Sequence, residues 1–241
     1  MRGIILSGGS ATRLRPCTKV TSKQLLPIYN RPMIYYPLNT LIKAGVKEIL
    51  IIVAPERAGD YLNLLGSGRQ FGVKLTYEIQ DKPRGLAEAF IIGENFIDED
   101  NVTLILGDNI FEDDFTEDIR SFQKGAKIFA KKVKDPERFG VVEINNKAEV
   151  LSIEEKPLKP KSNLAITGLY IYDHRVIDVA KKLKPSARGE LEIVDLHNWY
   201  LARHELEVSL VHGAWIDAGT FDSLLEAQSL ARDRLQSKLI I

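Results

Sequence analysis

Two aspartates far apart in the chain, Asp108 and Asp217, each close an apolar stretch: Val102–Leu106 before the first, Ala214-Trp215-Ile216 before the second. A carboxylate at the end of a buried strand is placed to meet a hard cation. Mg²⁺ takes one or two carboxylates and completes its shell with phosphate oxygens and water. Each aspartate also has a plainer reading, Asp108 as a turn cap and Asp217 as the cap of the last helix. Near the amino terminus the string Leu6-Ser7-Gly8-Gly9-Ser10-Ala11-Thr12-Arg13-Leu14 follows a short apolar run. Gly8 and Gly9 tolerate positive φ and let backbone N–H groups approach a phosphate with no Cβ in the way. Arg13 adds a permanent forked cation, and Lys23 adds a second charge further on. Two cations after a glycine turn suit a triphosphate better than a dinucleotide. Neither G-x-G-x-x-G nor a Walker A loop is present, which disfavours a dinucleotide-binding oxidoreductase. Gly8-Gly9 by itself reads equally well as a strand-to-loop turn with surface charges.

Three further stretches carry polar chemistry. Tyr77 to Ala89 reads as a strand, a loop and a helix start, and holds Gln80 and Gly85. A Gln side chain both donates and accepts, as the imide edge of thymine or uracil requires; a polar turn is the simpler account. Glu155-Lys156-Pro157 follows the strand candidate Val150–Ile153, and a lysine there can neutralise a sugar phosphate; most such triplets are exposed charged turns. Tyr170 and Trp215 either line a pocket or pack in the core. Asp98-Glu99-Asp100 and Asp113-Asp114 read as solvated loops or helix starts. His174, His197, His204 and His212 show no ligand spacing and are assigned no role.

These residues need a scaffold, and the composition provides for one. The 241 residues are 44% hydrophobic and 27% charged, with one cysteine, Cys17. That allows a packed core and excludes an intramolecular disulfide and disorder. Lys+Arg and Asp+Glu are both 33, so no bulk attraction to nucleic acid or anionic membrane is expected. The longest apolar run, Ile49–Ala54, is far short of the ~20 residues of a spanning helix. The amino terminus lacks a secretory apolar core, so a cytoplasmic protein is expected. Gly3–Leu6, Ile49–Val53 and Val102–Leu106 read as buried strands. Pro32–Lys43 and Leu86–Asn95 read as helices between or after them. That order predicts an α/β fold, a Rossmann-like, mostly parallel sheet with helices on both faces. In the second half, strand candidates Lys127–Val133, Val141–Ile144, Val150–Ile153 and Leu164–Tyr172 suggest mixed or antiparallel additions. Glu192–Ala202 and Phe221–Leu235 look helical. No linker separates the halves, so one domain is expected, with residues 1–125 mainly binding nucleotide and 126–241 mainly binding its partner substrate.

Gly8-Gly9-Ser10-Ala11-Thr12-Arg13-Leu14-Arg15-Pro16, followed by Lys23-Gln24-Leu25-Leu26-Pro27, resembles the sugar-1-phosphate nucleotidylyltransferases. The resemblance is nearest to their short forms acting on dTTP and glucose 1-phosphate. It runs over essentially the whole chain. It includes Leu106-Gly107-Asp108-Asn109, Asp135 to Val142, Glu154-Glu155-Lys156-Pro157, Thr167-Gly168-Leu169-Tyr170, Lys184 to Glu192 and Trp215 to Thr220.

The resemblance implies a nucleotidyltransferase, glycosyltransferase-A-like fold. It implies Mg²⁺ on Asp108 and Asp217. It implies a nucleotide site of Leu6, Gly8, Gly9, Arg13, Gln80, Gly85 and Asp108, and a sugar-phosphate site of Gly140, Glu155, Lys156, Gly168, Tyr170 and Trp215. Arg13, Lys23 and Lys156 would be catalytic. An oxygen of glucose 1-phosphate would attack the α-phosphorus of dTTP in line and expel pyrophosphate, with no protein nucleophile. Neither a Ser-His-Asp nor a Cys-His arrangement is evident in the sequence. The partners implied are the two small substrates and other copies of the chain, in a tetramer or dimer. UTP in place of dTTP stays open, since a single methyl discriminates by only ~1–3 kcal/mol. So does a catalytically silent binding protein. Ala11 stands where many relatives have glycine, a methyl that would crowd a left-handed backbone. Arg84 stands where longer relatives commonly have an acid. Longer relatives also continue past the position of Ile241 with a segment that helps form an allosteric site, which makes that feedback doubtful here.

Overall fold

Continuous runs of β-branched residues and leucine form the middle of a nine-stranded sheet. The computed structural model of the chain describes residues 1–9, 11–236 and 238–241. In the first half the strands are β1 (Arg2–Ser7), a short pair β2 (Pro27–Ile28) and β3 (Arg31–Pro32), β4 (Glu48–Val53), β5 (Lys74–Ile79) and β6 (Val102–Leu106). The second half adds β7 (Asn109–Phe111), β8 (Ala126–Lys132), β9 (Gly140–Ile144), β10 (Val150–Glu155), β11 (Leu164–Tyr172), β12 (Leu206–Leu210) and β13 (Trp215–Asp217). Across the main sheet the order is β10-β9-β11-β6-β1-β4-β5, with β8 paired to both β11 and β12.

β6, β1, β4 and β5 are parallel, with Leu6 opposite both Leu106 and Ile52. Their carboxyl ends therefore lie along one edge, and the loops after β1, β5 and β6 emerge together. β11 runs antiparallel to β6, with Tyr170 opposite Leu104, and carries the sheet into the second half. There β9, β10 and β8 pair antiparallel, while β12 lies parallel to β8. The mixed additions expected from the alternating pattern are present.

Among the described residues the α-helices are α1 (Tyr35–Lys43), α2 (Ala58–Leu65), α3 (Glu88–Ile92), α4 (Glu94–Ile97), α5 (Thr116–Ser121), α6 (Val176–Lys182), α7 (Ile193–Leu201) and α8 (Phe221–Leu230). They cover both faces. Leu38, Leu41, Tyr61, Leu65 and Ile119 of α1, α2 and α5 pack on one side with Ile5, Ile49 and Ile51. Phe90, Ile97, Val176, Val179, Leu196 and Tyr200 of α3, α4, α6 and α7 pack on the other with Ile4, Leu50 and Leu104. A sheet covered on both faces needs no polar alternation, which is why its central strands read as unbroken apolar runs. A third cluster of Ile28, Met33, Tyr36, Ile216, Ala227 and Leu230 fixes α8 beneath β13.

Three helix boundaries differ from the sequence reading. The helix expected from Pro32 begins at Tyr35, because Pro32 pairs with Pro27 in the β2–β3 ribbon. The helix expected over Leu86–Asn95 is two short ones separated at Gly93, which sits close enough to Ile4 and Leu50 that a Cβ would approach them to 3.1–3.2 Å. The last helix stops at Leu230 and continues as a wider turn through Leu235. Its cap is Thr220, whose Oγ1 accepts from Ser223 N at 3.2 Å while Ser223 Oγ accepts from Thr220 N at 3.0 Å. This reciprocal box contributes about 1 kcal/mol and leaves Asp217 free of the capping role it could have had.

Candidate active site

The carboxyl edge of the parallel strands opens into a cleft of ≈ 450 Å³. Leu6, Gly8, Gly9, Arg13 and Lys23 line it from the first 25 residues, and Gln80 and Gly85 from the loop after β5. Asp108 and Asp217 form its middle. Gly140, Glu155, Lys156, Gly168, Tyr170 and Trp215 line the far end. Every residue that the resemblance assigns to a site thus borders one cavity. Ser10 of the glycine-rich string lies outside the described residues.

The two aspartates meet through the small ribbon β7–β13, whose register sets Asp217 opposite Asn109. The Asp108 carbonyl accepts the Ala218 N–H at 3.0 Å, tying the strands just beside both carboxylates. Their electrostatics diverge. Burial acts to raise the pKa of Asp108, but the ion-paired Lys23 ammonium and the hydrogen bonds from Lys23, Asn109 and the backbone together outweigh it and hold the carboxyl below its ordinary range. Asp217 is raised to about 6, by burial first and then by the Asp108 charge, against partial relief from Lys23 and Arg13. Arg13 lies over the same turn: a Cβ on Gly219 would come within 2.9 Å of its guanidinium and 3.2 Å of an Asp217 oxygen. The glycine loop enters this region through Ala11, held left-handed at φ 44°, ψ 41°. The methyl in place of glycine is therefore carried in a strained backbone, a cost of about 1–2 kcal/mol.

At the end of the cleft beside β5, Gln80 is 5% exposed, and its backbone N–H donates to Val53 O at 2.9 Å, continuing the β4–β5 ladder. Its Nε2 donates to Glu88 Oε2 at 2.8 Å. Gly85 has φ 108°, and any Cβ there would overlap the backbone of Leu191. Leu191 N donates to Arg84 O at 2.7 Å, and Ala87 N to Leu191 O at 3.3 Å. The loop after β5 and the segment leading into α7 are thereby joined.

At the far end, Gly140 stands opposite Glu155 in the β9–β10 register. Lys156 follows at φ 43°, its N–H bonded to Phe139 O at 3.0 Å, with its ammonium 3.5 Å from Glu155 and its side chain half exposed. Left-handed backbone at a non-glycine residue costs energy that the surrounding structure must hold; here it aims a cation into the cleft. Tyr170 is buried, and its phenol is pushed well up by burial and by the charges of Glu155, Asp108 and Asp217.

Sequence reasoning passed over several residues that border or brace the cleft. Asn109 was present in a quoted motif but given no role, and its amide contacts three parts of the site. Arg188 lines the cleft and pairs with Glu155 at 3.2 Å and Glu192 at 2.8 Å; like Asn109 it stands in a string that carries the resemblance, Lys184 to Glu192, but had no role there. Gln24 lines the cleft, with its Oε1 accepting from Ser22 at 2.7 Å and Tyr61 at 3.1 Å. Asp113 is not simply solvated. It accepts the N–H groups of His212 at 2.7 Å and Gly213 at 2.6 Å, while Lys131 donates to the carbonyls of Val211, His212 and Gly213 at 3.3, 2.8 and 2.7 Å. Together they clamp the loop that delivers Trp215 and Asp217. His197 is fully buried beside Tyr170 and Tyr172, its nitrogens without a partner among the described residues, and burial lowers it to about 3.

A parallel sheet with a glycine loop after its first strand, and paired carboxylates beside basic residues, defines a nucleotidyl-transfer architecture. The family model described as "Nucleotidyl transferase" matches residues 2–234, and the chain belongs to that family. It is 54% identical over 96% of its length to a Neisseria meningitidis protein named glucose-1-phosphate thymidylyltransferase, covering 83% of that protein. It is 52% identical to the Mycobacterium tuberculosis protein of the same name, covering 96% of this chain and 82% of that one. A crystal structure of a Bacillus anthracis protein, assigned as a glucose-1-phosphate thymidylyltransferase and solved with sucrose, superposes with a TM-score of 0.92 at 50% identity. The match spans 97% of this chain and 96% of that one. A UDP-glucose pyrophosphorylase shares the fold, at a TM-score of 0.83, 24% identity, and 96% and 98% coverage.

Proposed function

We propose that this chain transfers a thymidylyl group from dTTP to glucose 1-phosphate, forming dTDP-glucose and pyrophosphate. The carrying observation is the meeting of Asp108 and Asp217 in mid-cleft, with Arg13 and Lys23 beside them and Lys156 and Glu155 beyond. The names borne by relatives at 50–54% identity support the choice of substrates.

Arg13 and Lys23 hold the triphosphate and offset the charge that builds on the leaving pyrophosphate. Lys156 holds the attacking phosphate, so two anions that repel in water are aligned at short range. A sugar phosphate is ionised at pH 7, and no side chain has to remove a proton from the nucleophile. Glu155 and the Gly140 backbone face the sugar hydroxyls, and Gln80 the base. The donor set fits a hard divalent cation: two carboxylates, one of which is driven toward protonation by burial and then by the other's charge. Asp108 and Asp217 would hold Mg²⁺, which when bound neutralises phosphate charge at the reacting centre. No helix among the described residues is long and apolar enough to cross a membrane. A cytoplasmic homo-oligomer goes with this reading, supported by Phe221 and Leu225, one turn apart on α8 and 47% and 65% exposed. Light scattering tests it.

The test is pyrophosphate release on mixing purified protein with Mg²⁺, dTTP or UTP, and glucose 1-phosphate, each component omitted in turn. Release that requires all three supports the reading, and a preference for dTTP supports the nucleotide. No release with either nucleotide overturns it.

A further inference from the structure

Gln80 is held from behind. Its Nε2 donates to Glu88 Oε2 at 2.8 Å, and the Glu88 side chain, on the first turn of α3, is only 12% exposed. The same Glu88 oxygen lies 3.4 Å from the Arg84 backbone nitrogen, and its partner oxygen is 3.5 Å from Arg84 Nε. An ionised carboxylate accepts and never donates. Of the two ends of the Gln80 amide, only the NH₂ end can therefore face Glu88. The carbonyl end is turned toward Gly8, so near its Cα that any Cβ there would collide with Oε1. Gly8 and Gln80 both line the cleft.

The atom that Glu88 turns toward the cleft is thus a hydrogen-bond acceptor. Thymine and uracil carry N–H at ring position 3. Cytosine carries a bare acceptor nitrogen there. To serve cytosine, Gln80 would have to turn its amide over, which would set Oε1 against the Glu88 carboxylate. Two acceptors in contact, away from water, leave both unsatisfied. From this geometry we infer that Glu88 is a specificity-determining residue. It acts through Gln80 to restrict the site to pyrimidine nucleotides with an imide N–H and to reject cytosine nucleotides. The inference rests on the reading that Gln80 faces the base.

The experiment measures dTTP and dCTP against wild type, Glu88→Gln and Glu88→Ala. Equilibrium binding is read by calorimetry and turnover by pyrophosphate release. Wild type is expected to favour dTTP at least 100-fold in binding. A glutamine or alanine at 88 lets Gln80 turn either way, so the dTTP-to-dCTP ratio should fall at least tenfold, chiefly by a gain with dCTP. A merely structural role would weaken both nucleotides alike and leave the ratio fixed, which overturns the inference. So does a wild-type preference below tenfold, a result that requires no variant to fold. Absence of pyrophosphate release in wild type refutes the proposed reaction; the binding ratios still decide the role of Glu88.

Discussion

Trp215 donates its indole N–H to Asn109 Oδ1 at 2.6 Å, across a separation of 106 residues. The same oxygen accepts the Gly168 N–H at 2.9 Å, and Asn109 Nδ2 donates to Asp108 Oδ1 at 3.1 Å. One amide, 2% exposed, therefore joins a candidate metal carboxylate to both walls of the far end of the cleft. Asn109→Ala strands two donors, at about 1–3 kcal/mol each. A fall in melting temperature and a loss of kcat/KM for glucose 1-phosphate of 100-fold or more are expected. Asn109→Asp keeps the acceptor but sets a second negative charge against Asp108. It should spare much of the stability at neutral pH in Mg²⁺ while shifting the magnesium titration. Unchanged titration curves for both variants would contradict this linkage.

Asp217 gives a pH prediction. Its carboxyl is raised to about 6 in the folded chain, so the folded state holds its proton more tightly than the unfolded one. The stability this contributes is fully present below about pH 4 and is lost as pH rises through 6, on the order of 3 kcal/mol for a shift of this size. A divalent cation binds the ionised form. Mg²⁺ should therefore raise the melting temperature more at pH 7.5 than at pH 5, and half-saturation should need more Mg²⁺ at the lower pH. Asp108→Asn removes the neighbouring charge and should flatten both differences.

Much of the fold is legible because it follows from local composition. Val102–Leu106 and Leu164–Tyr172 are strands over the very residues where apolar, β-branched content is continuous, since both faces of the sheet are covered. The start of α1 was not legible, because Pro32 is drawn into a ribbon by Pro27, and pairing is not written in either residue alone. The break at Gly93 reflects the nearness of Ile4 and Leu50, which belong to other strands. The site divides in the same way. Glycines, basic residues and strand-end aspartates stand out by type and spacing. Their supports do not: Asn109, Lys131 and Asp113 act through contacts that exist only once distant strands have met, and Glu88 acts through Gln80, across a loop whose path neither residue reveals. Asp113 and Gly213 are 100 positions apart, so nothing near Asp113 distinguishes it from a solvated loop acid.

The clamp on residues 211–214 yields a separate expectation. Lys131→Met keeps the aliphatic stem and deletes three hydrogen bonds to backbone carbonyls. The loop before Trp215 and Asp217 should loosen, with about 1–3 kcal/mol lost. Half-saturation by Mg²⁺ should move to higher concentration. Asp113→Asn, which retains an acceptor, should be milder than Asp113→Ala, which leaves two N–H groups unpaired. Magnesium titration of the three variants, beside their thermal melts, separates a positioning effect from general destabilisation: equal loss of stability with unmoved titrations would exclude it.

Ala11 offers a substitution in the opposite direction. Its left-handed backbone at φ 44° is strained by the methyl group, and Ala11→Gly relieves that strain. The gain in folded-state energy is partly offset by the greater freedom of glycine in the unfolded chain. The net change in melting temperature should be small. The loop itself should hold its conformation more readily, so KM for dTTP should fall a few-fold with kcat little changed. A rise in KM would show that the methyl supports the phosphate loop rather than straining it.

His197 gives a second pH prediction. Burial lowers it to about 3, and it stays neutral in the native state while the unfolded chain takes up a proton near 6.5. The unfolded state thus binds more protons at this site between these values, and the His197 contribution to stability falls as pH drops below 6.5, by about 2 kcal/mol at pH 5, opposing the gain from Asp217. Its ring stacks on Tyr172 at 6.0 Å between centroids, with 11° between planes, so an aromatic replacement keeps the contact. His197→Phe puts a larger ring into a fully buried site and should cost about 1–3 kcal/mol near neutral pH. It should also remove most of the loss between pH 6.5 and 5. Urea unfolding of both proteins at several pH values in that window tests this. Parallel curves for wild type and variant would place the acid sensitivity on other groups.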